Sequence, residues 1–435
     1  MSERADWGFD TLCVHAGAEE SDPETGATAT PIHQTTSYEF DSAEHAADLY
    51  ALEREGDVYS RISNPTVRAL EERLAALEGG TAAVATGSGM AAFDAATSVL
   101  ASAGDNVVSA ASIYGGTHAY LSTVAPRRGI EPRFVDTLDP AAYAAAIDDD
   151  TAYVHLETVG NPALVTPDIE AIADVAHDRG VPLFVDNTFA TPALCRPLDH
   201  GADLVWESTT KWIHGSGTTI GGVLVDGGSF PWSDHPERFP ELGGENPAFD
   251  GVRFAERFGD RAFAAAVRQR GLRPLGDGQS PFDAWVTAQG CETLGLRMDR
   301  HCENALAVAE FLADHPAVTR VTYPGLPEHE THDAAGEYLD GGYGGVLTFA
   351  PEGGYDAARR IPEVVDLGSF LANVGDAKTL LIHPASTTHA QLSAEEQRES
   401  GVHPDMIRVS VGIEDPADVI ADLDAALSAV HGGSP

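Results

Sequence analysis

Lysine is nearly absent from this 435-residue chain: only Lys211 and Lys378 occur, and arginine supplies the rest of the positive charge. A lysine amine deprotonates readily when buried and an arginine does not, so a retained lysine suggests a need for a free amine. Cysteine is scarce as well. Cys13, Cys195, Cys291 and Cys302 are scattered and form no CxxC pair, which argues against a disulfide framework or a zinc site and for a reduced, cytoplasmic protein. No apolar run approaches the ~18 residues of a membrane span. The opening MSERADWGFD is charged and lacks an apolar core, so no signal peptide is expected. Basic residues are few overall, 26 against 68 acidic ones for a net charge of −42. That field argues against nucleic acid or an anionic membrane as a partner.

What is present describes a globular protein. With 43% hydrophobic residues, the chain is long enough for a large core and two domains. The acid is dispersed through segments with clear apolar periodicity, so it is no disordered tail. It reads as the surface of a protein in concentrated salt, where the Debye length shrinks to ~3 Å and self-repulsion is screened. A GC-rich genome would also favour arginine over lysine.

One stretch organises the rest, Asp203 to Gly222, DLVWESTTKWIHGSGTTIGG. An apolar run, Leu204 to Trp206, reads as a buried strand. The hydroxyls of Ser208, Thr209 and Thr210 follow, then Lys211, then a glycine-rich segment from Gly215. Hydroxyls can hold a phosphate, a lysine amine can condense with a carbonyl, and glycines let backbone approach a ligand.

Residues 1–60 read as irregular, without the apolar periodicity needed to pack wholly on their own subunit. Tyr59 and Arg61 then precede Asn64-Pro65, an N-cap and first-turn pair, and Val67, Leu70, Leu74 and Leu77 follow at helical spacing to Gly79-Gly80. From 81 to 226 short apolar runs alternate with helical segments: Ala82–Ala85, Val107-Val108, Phe134-Val135, Tyr153–Leu156, Val181–Val185, Leu204–Trp206 and Val223–Val225. The succession predicts a parallel or mostly parallel sheet covered by helices, with ligands at the carboxyl ends of its strands. Polar residues gather there. Ser88-Gly89-Met90 is a glycine turn at a helix start, where free N–H groups favour a phosphate. Tyr114 could lie against a planar ligand or simply pack. Asn161 and Asp186 also sit at strand ends, and a carboxylate there needs a cation, either a protonated ring nitrogen or an arginine.

YSRISNPT, TGSGM, IYGGT, ETVGNP, LFVDNT and STTKW, in that order, resemble the Cys/Met-metabolism family of pyridoxal-phosphate enzymes over nearly the whole chain. The resemblance implies an α/β fold of the aspartate-aminotransferase-like type (fold type I), with a large, mostly parallel sheet domain and a smaller C-terminal α/β domain. It implies pyridoxal 5'-phosphate held covalently by Lys211, with Asp186 on the ring nitrogen and Tyr114 stacked on the ring. Gly89, Met90, Ser208 and Thr210 would hold the phosphate, and Asn161 would serve cofactor and substrate. Tyr59 and Arg61 would enter from a neighbouring subunit of a homotetramer built from dimers. Ser216 departs from the pattern, standing where the family often has histidine.

Residues 227–280 read as a loop-rich insertion with one helical stretch, Asp260 to Arg268. With the helical run that follows, they resemble the O-acetylhomoserine sulfhydrylase branch. So do NVGDAKTL and HPASTTH, since the synthases and lyases more often carry serine where Asn373 stands. His383 and His389 there warrant no metal reading. Past residue 290, strands are expected at Val318–Val321, Val346–Phe349, Thr379–Ile382 and Ile407–Val411, and a closing helix over Ala417–Val430.

The implied domains are an arm (1–60), a cofactor domain (61–280) and a smaller domain (281–435). By the resemblance Arg408 binds the substrate α-carboxylate and Asn373 contacts substrate. Lys211 moves the protons, assisted or positioned by Tyr59 and Tyr114. The implied reaction joins O-acetyl-L-homoserine with sulfide or a thiol to give L-homocysteine and acetate. A cystathionine γ-synthase, a γ-lyase and an inactive, binding-only relative are the competing readings.

Overall fold

The computed structural model describes residues 7–18, 21–23, 25–390, 393, 397 and 401–432. A seven-stranded sheet is built from β1 (Ala82–Thr86), β2 (Asn106–Ala110), β3 (Glu131–Val135), β4 (Thr151–Glu157), β5 (Leu183–Asp186), β6 (Leu204–Glu207) and β7 (Gly222–Asp226), in the order β1-β7-β6-β5-β4-β2-β3. Strand β7 runs antiparallel to both its neighbours, and the other adjacent pairs are parallel. Near-continuous burial of β2, β4, β5, β6 and β7 follows from helices covering both faces, which is why these strands read as unbroken apolar runs.

The Pro65–Glu78 helix forms as its sequence suggests. The Asn64 side chain accepts the Thr66 N–H, Pro65 occupies the first turn, and Gly79 ends the helix at φ 76°. The Gly89–Leu100 helix is capped by Ser88, whose hydroxyl accepts the Ala91 N–H. Phe93 plugs that helix onto the sheet. Its ring is fully buried against Phe184, Trp206 and Tyr120 at centroid distances of 5.8, 5.4 and 5.3 Å, a burial that contributes roughly 1.5–3 kcal/mol. Gly222 lets β7 begin against the same turn, for a Cβ there would meet the Ser88 carbonyl oxygen at 2.3 Å and the Gly89 nitrogen at 2.7 Å.

A second sheet has β8 (Val318–Thr322), β9 (Val346–Pro351), β10 (Ser369–Phe370), β11 (Leu380–Ile382) and β12 (Ile407–Ser410), ordered β10-β11-β12-β9-β8. The 21-residue Leu294–Asp314 helix joins the two cores. Leu294, Met298 and Cys302 pack with the large sheet, while Ala305, Val308, Ala309 and Leu312 pack with the small one.

One expectation needs correction. The first 60 residues are not wholly irregular: Phe9–His15 and Ala43–Tyr50 are helices, and Leu12, Cys13 and Ala16 are buried in the chain's own core. A seven-residue helix has too few turns to display periodicity. The expected helical stretch, Asp260 to Arg268, is helical throughout, and it passes from a 3-10 turn (Gly259–Arg261) through an α-turn (Ala262–Ala266) into a π-turn (Val267–Leu272). Strand β10 was not anticipated, being two residues long. Among the described residues, no helix is long and apolar enough to cross a membrane.

Candidate active site

The carboxyl ends of the parallel strands converge on Lys211. Asp186 is the last residue of β5 and Glu157 the last of β4. Ser208 follows β6, Tyr114 and Asn161 lie in the loops after β2 and β4, and Gly89 and Met90 open the helix after β1. The small-sheet region adds Asn373 and, from β12, Arg408. Lys211 Nζ donates to Asn373 Oδ1 at 2.5 Å, and Arg408 Nη1 donates to Asn161 Oδ1 at 3.2 Å.

Electrostatics tune these groups. Burial, and then the charge of Arg408, lowers the Lys211 amine from 10.5 to about 8. Burial lowers Arg408 to about 10, opposed by Tyr114, and the guanidinium stays charged. Asp186 is pushed up to about 7 by burial, although the Thr188 hydroxyl and main-chain N–H favour its ionised form. Among the described residues, no cation pairs with it.

The phosphate end is equally specific. With Ser88 capping the helix, the Gly89 and Met90 amides have no acceptor within it. A Cβ on Gly89 would meet Ser208 Cβ at 2.8 Å, so glycine brings that helix end against the hydroxyl segment. The Ser208 N–H donates to Thr188 Oγ1 at 2.9 Å. Thr210 Oγ1 bonds the Gly221 carbonyl and accepts the Gly221 N–H, each at 3.1 Å. The Tyr114 ring is 46% exposed, free to cover a planar ligand.

Tyr59 and Arg61 stand apart within one chain. Arg61 lies over the Tyr59 ring, 5.3 Å from its centroid, and donates to the Arg273 carbonyl. Both line a surface cavity of about 310 Å³ with Tyr38, Phe40, Tyr50 and Arg273. Ser216 takes part in a network instead of a pocket wall, its hydroxyl 2.8 Å from His214 Nε2, which also meets Thr218. His383 is occupied by Ser386 and the Pro404 carbonyl. His389 is held low by burial and then by Arg408, which places it beside the site.

The sequence reading passed over the buried carboxyls. Glu157, Glu207 and Glu78 are all raised chiefly by burial. Asn187 donates to Glu78 at 2.8 Å, and Asp186 is among the causes that raise Glu207. A glutamate ending an otherwise apolar strand, as in YVHLE and LVWE, was the available signal.

A mostly parallel sheet ending in a tuned lysine, a buried carboxyl and a phosphate-ready helix start defines a pyridoxal-phosphate-dependent enzyme of fold type I. The chain belongs to the Cys/Met metabolism PLP-dependent enzyme family, whose model matches residues 10–428. It is 50% identical to a homocysteine synthase of Schizosaccharomyces pombe over 96% of this chain and 98% of that one. It is 51% identical to O-acetyl-L-homoserine sulfhydrylase 1 of Thermus thermophilus, over 97% of this chain and all of the relative. A crystal structure of a putative O-acetylhomoserine (thiol)-lyase from Campylobacter jejuni superposes with a TM-score of 0.92 at 37% identity, covering 97% of this chain and 100% of that one. That structure carries N'-pyridoxyl-lysine-5'-monophosphate.

The residues present fit pyridoxal 5'-phosphate. Asp186 offers a buried carboxyl to a protonated ring nitrogen, Lys211 an amine, and the Gly89 and Met90 amides and the Ser208 hydroxyl donors to a phosphate, whereas the expected Thr210 hydroxyl donates to the Gly221 carbonyl instead. The lowered Lys211 pKa has a measurable sign. The neutral, nucleophilic amine becomes the major form above about pH 8 instead of near 10.5. Covalent attachment of pyridoxal phosphate to cofactor-free protein should therefore accelerate through pH 8 and level off by about pH 9. A rate still climbing at about pH 10 would contradict the assignment.

Proposed function

We propose that the protein catalyses γ-replacement on O-acetyl-L-homoserine, joining sulfide or a thiol to the four-carbon chain to give L-homocysteine, or its thioether, and acetate. The reaction class rests on the amine of Lys211, lowered by burial and held by Asn373 beside Arg408. The choice of substrate rests on full-length likeness to relatives of that name. When bound, pyridoxal phosphate supplies an electron sink that makes the substrate's α- and β-protons removable.

The chain's own residues do the remainder. Arg408 binds the α-carboxylate through its fork, and Asn161, bonded to Arg408, orients it. Asp186 would hold the protonated ring nitrogen. Lys211 takes a proton from Cα and then one from Cβ, so that acetate can leave from Cγ. Sulfide bonds to Cγ, and the amine returns both protons. Tyr114 would cover the cofactor ring, and Tyr59 would reach the site from a partner subunit.

The test is a product assay across acyl donors and nucleophiles. O-Acetylhomoserine with sulfide should give homocysteine and acetate. Turnover only with cysteine would identify a cystathionine γ-synthase, and breakdown of cystathionine without acyl donor a γ-lyase.

The assembly we propose is a cytoplasmic homotetramer of dimers, each chain comprising an arm (1–60), a cofactor domain (61–280) and a smaller domain (281–435). The exposed Tyr59 ring, 41% accessible, and the adjacent cavity support a shared site. Lys211→Ala and Arg61→Ala subunits should each be inactive alone. Mixed equally and exchanged, half of the dimers pair unlike chains, and each of these holds one intact site. Activity should therefore return to about a quarter of wild type. No recovery after exchange, verified by mass, would place Arg61 in its own chain's site.

We also propose that the protein is adapted to concentrated salt, on the strength of its −42 charge. Transfer from molar to millimolar salt should lower the melting temperature or dissociate the subunits, because the repulsion is no longer screened. An unchanged melting temperature would remove the proposal.

A further inference from the structure

Glu157 links two site loops that none of the expected site residues links alone. It is buried at the end of β4, paired in register with Asp186 of β5. Its two carboxylate oxygens are used separately. Oε1 accepts the main-chain N–H of Tyr114 at 2.5 Å, and Oε2 accepts that of Asn161 at 2.9 Å. The Asn161 side chain accepts from Arg408. A chain of hydrogen bonds thus runs from the Tyr114 main chain through Glu157 to Asn161 and on to Arg408. It joins two loops of the large sheet to a side chain of the small one.

We propose that Glu157 is a positioning residue: by accepting one amide from each loop, its carboxylate sets the ring-facing Tyr114 and the carboxylate-binding Asn161–Arg408 pair at a fixed separation. The inference rests on the proposed cofactor and substrate reading of the site. Burial and the neighbouring Asp186 both oppose charge on Glu157, and only the two amides favour it. A cation held at Asp186, which the ring nitrogen supplies, reduces that repulsion. Cofactor binding and the clamp therefore reinforce one another. Glutamine has nearly the same shape but one acceptor oxygen, so one buried N–H would face an NH₂ group and lose its partner.

The test compares Glu157→Gln and Glu157→Asp with wild type in molar salt. Three quantities are read: pyridoxal-phosphate affinity of the cofactor-free full-length chain, KM against kcat of the holoenzyme, and amide exchange of the peptides carrying Tyr114 and Asn161. Glu157→Gln should weaken cofactor binding about tenfold and raise KM for the amino-acid substrate about tenfold, the ratio expected when one buried N–H loses its acceptor. Exchange should quicken at one or both peptides, and kcat should fall by less than about threefold because Lys211 is untouched. Glu157→Asp keeps two charged acceptors and should fall between the two. Wild-type cofactor affinity and KM in Glu157→Gln, or losses without faster exchange at either peptide, would overturn the proposal. Should Glu157→Gln not fold, wild-type values for all three quantities in Glu157→Asp would overturn it. Cofactor affinity and amide exchange do not depend on which acyl donor or nucleophile is used. They stay readable if the product assay assigns another reaction.

Discussion

Two cations of like charge, Lys211 and Arg408, share one desolvated space, and the rest of the site answers to that conflict. Arg408 is among the causes that depress the amine. Among the described residues neither cation has a carboxylate hydrogen-bonded to it; both donate to side-chain amides, Asn373 and Asn161. An amide oxygen accepts a hydrogen bond without neutralising the charge, so the cations remain available to an anion. Burying an unpaired charge is costly, and the fold bears that cost where an amino-acid carboxylate and a phosphate-bearing cofactor can relieve it.

The carboxyl side mirrors this. Asp186 and Glu157 end neighbouring strands in register, and burial raises both. A parallel sheet has to end its strands somewhere, and these carboxyl ends carry acids that have no cation partner among the described residues. Asp186 is open to a ring nitrogen, whereas Glu157 is consumed by two backbone amides. Adjacent acids on one sheet edge thus take different tasks because one meets N–H donors from both sides and the other does not.

How much of this was legible in the sequence depended on range. Caps and breaks such as Asn64, Pro65 and Gly79 act within a turn, and the structure has them where the residues place them. The strands of the large sheet are buried on both faces, so apolar runs of Tyr153 to Leu156 or Leu204 to Trp206 revealed them without any alternation. The motifs around Asp186, Lys211 and Arg408 marked a family, and the structure gathers those residues in one place. What escaped was non-local or too short. The buried role of Glu157 depends on amides 43 and 4 residues away, and no spacing rule joins them. The Phe9–His15 helix owes its place to packing against the core, which a seven-residue pattern does not display. Tyr59 and Arg61 read as candidates from their place just before a capped helix start and from resemblance, whereas within one chain they face solvent and Arg273.

The scarcity of lysine then acquires a physical meaning. Arginine does the structural work in which a cation must bind several carbonyls at once, a task suited to its planar fork. Arg73 donates to the carbonyls of Ala16 and Ala288, and Arg238 to those of Arg179, Gly180 and Asp149. Arg297 matters most to the site. From the helix that joins both cores, it donates to the carbonyls of Trp212 and Ile213, the two residues after Lys211, and to that of Gly290. On the other side of the same turn, Gly375 (φ 76°) packs where a Cβ would lie 2.7 Å from the Trp212 nitrogen and 2.9 Å from the Lys211 carbonyl carbon. The lysine backbone is therefore gripped from the long helix and from the loop that carries Asn373, and Asn373 in turn holds the amine. What the backbone grip leaves unfixed is the side chain alone, and the proposed transfer of protons at two neighbouring carbons would call on it.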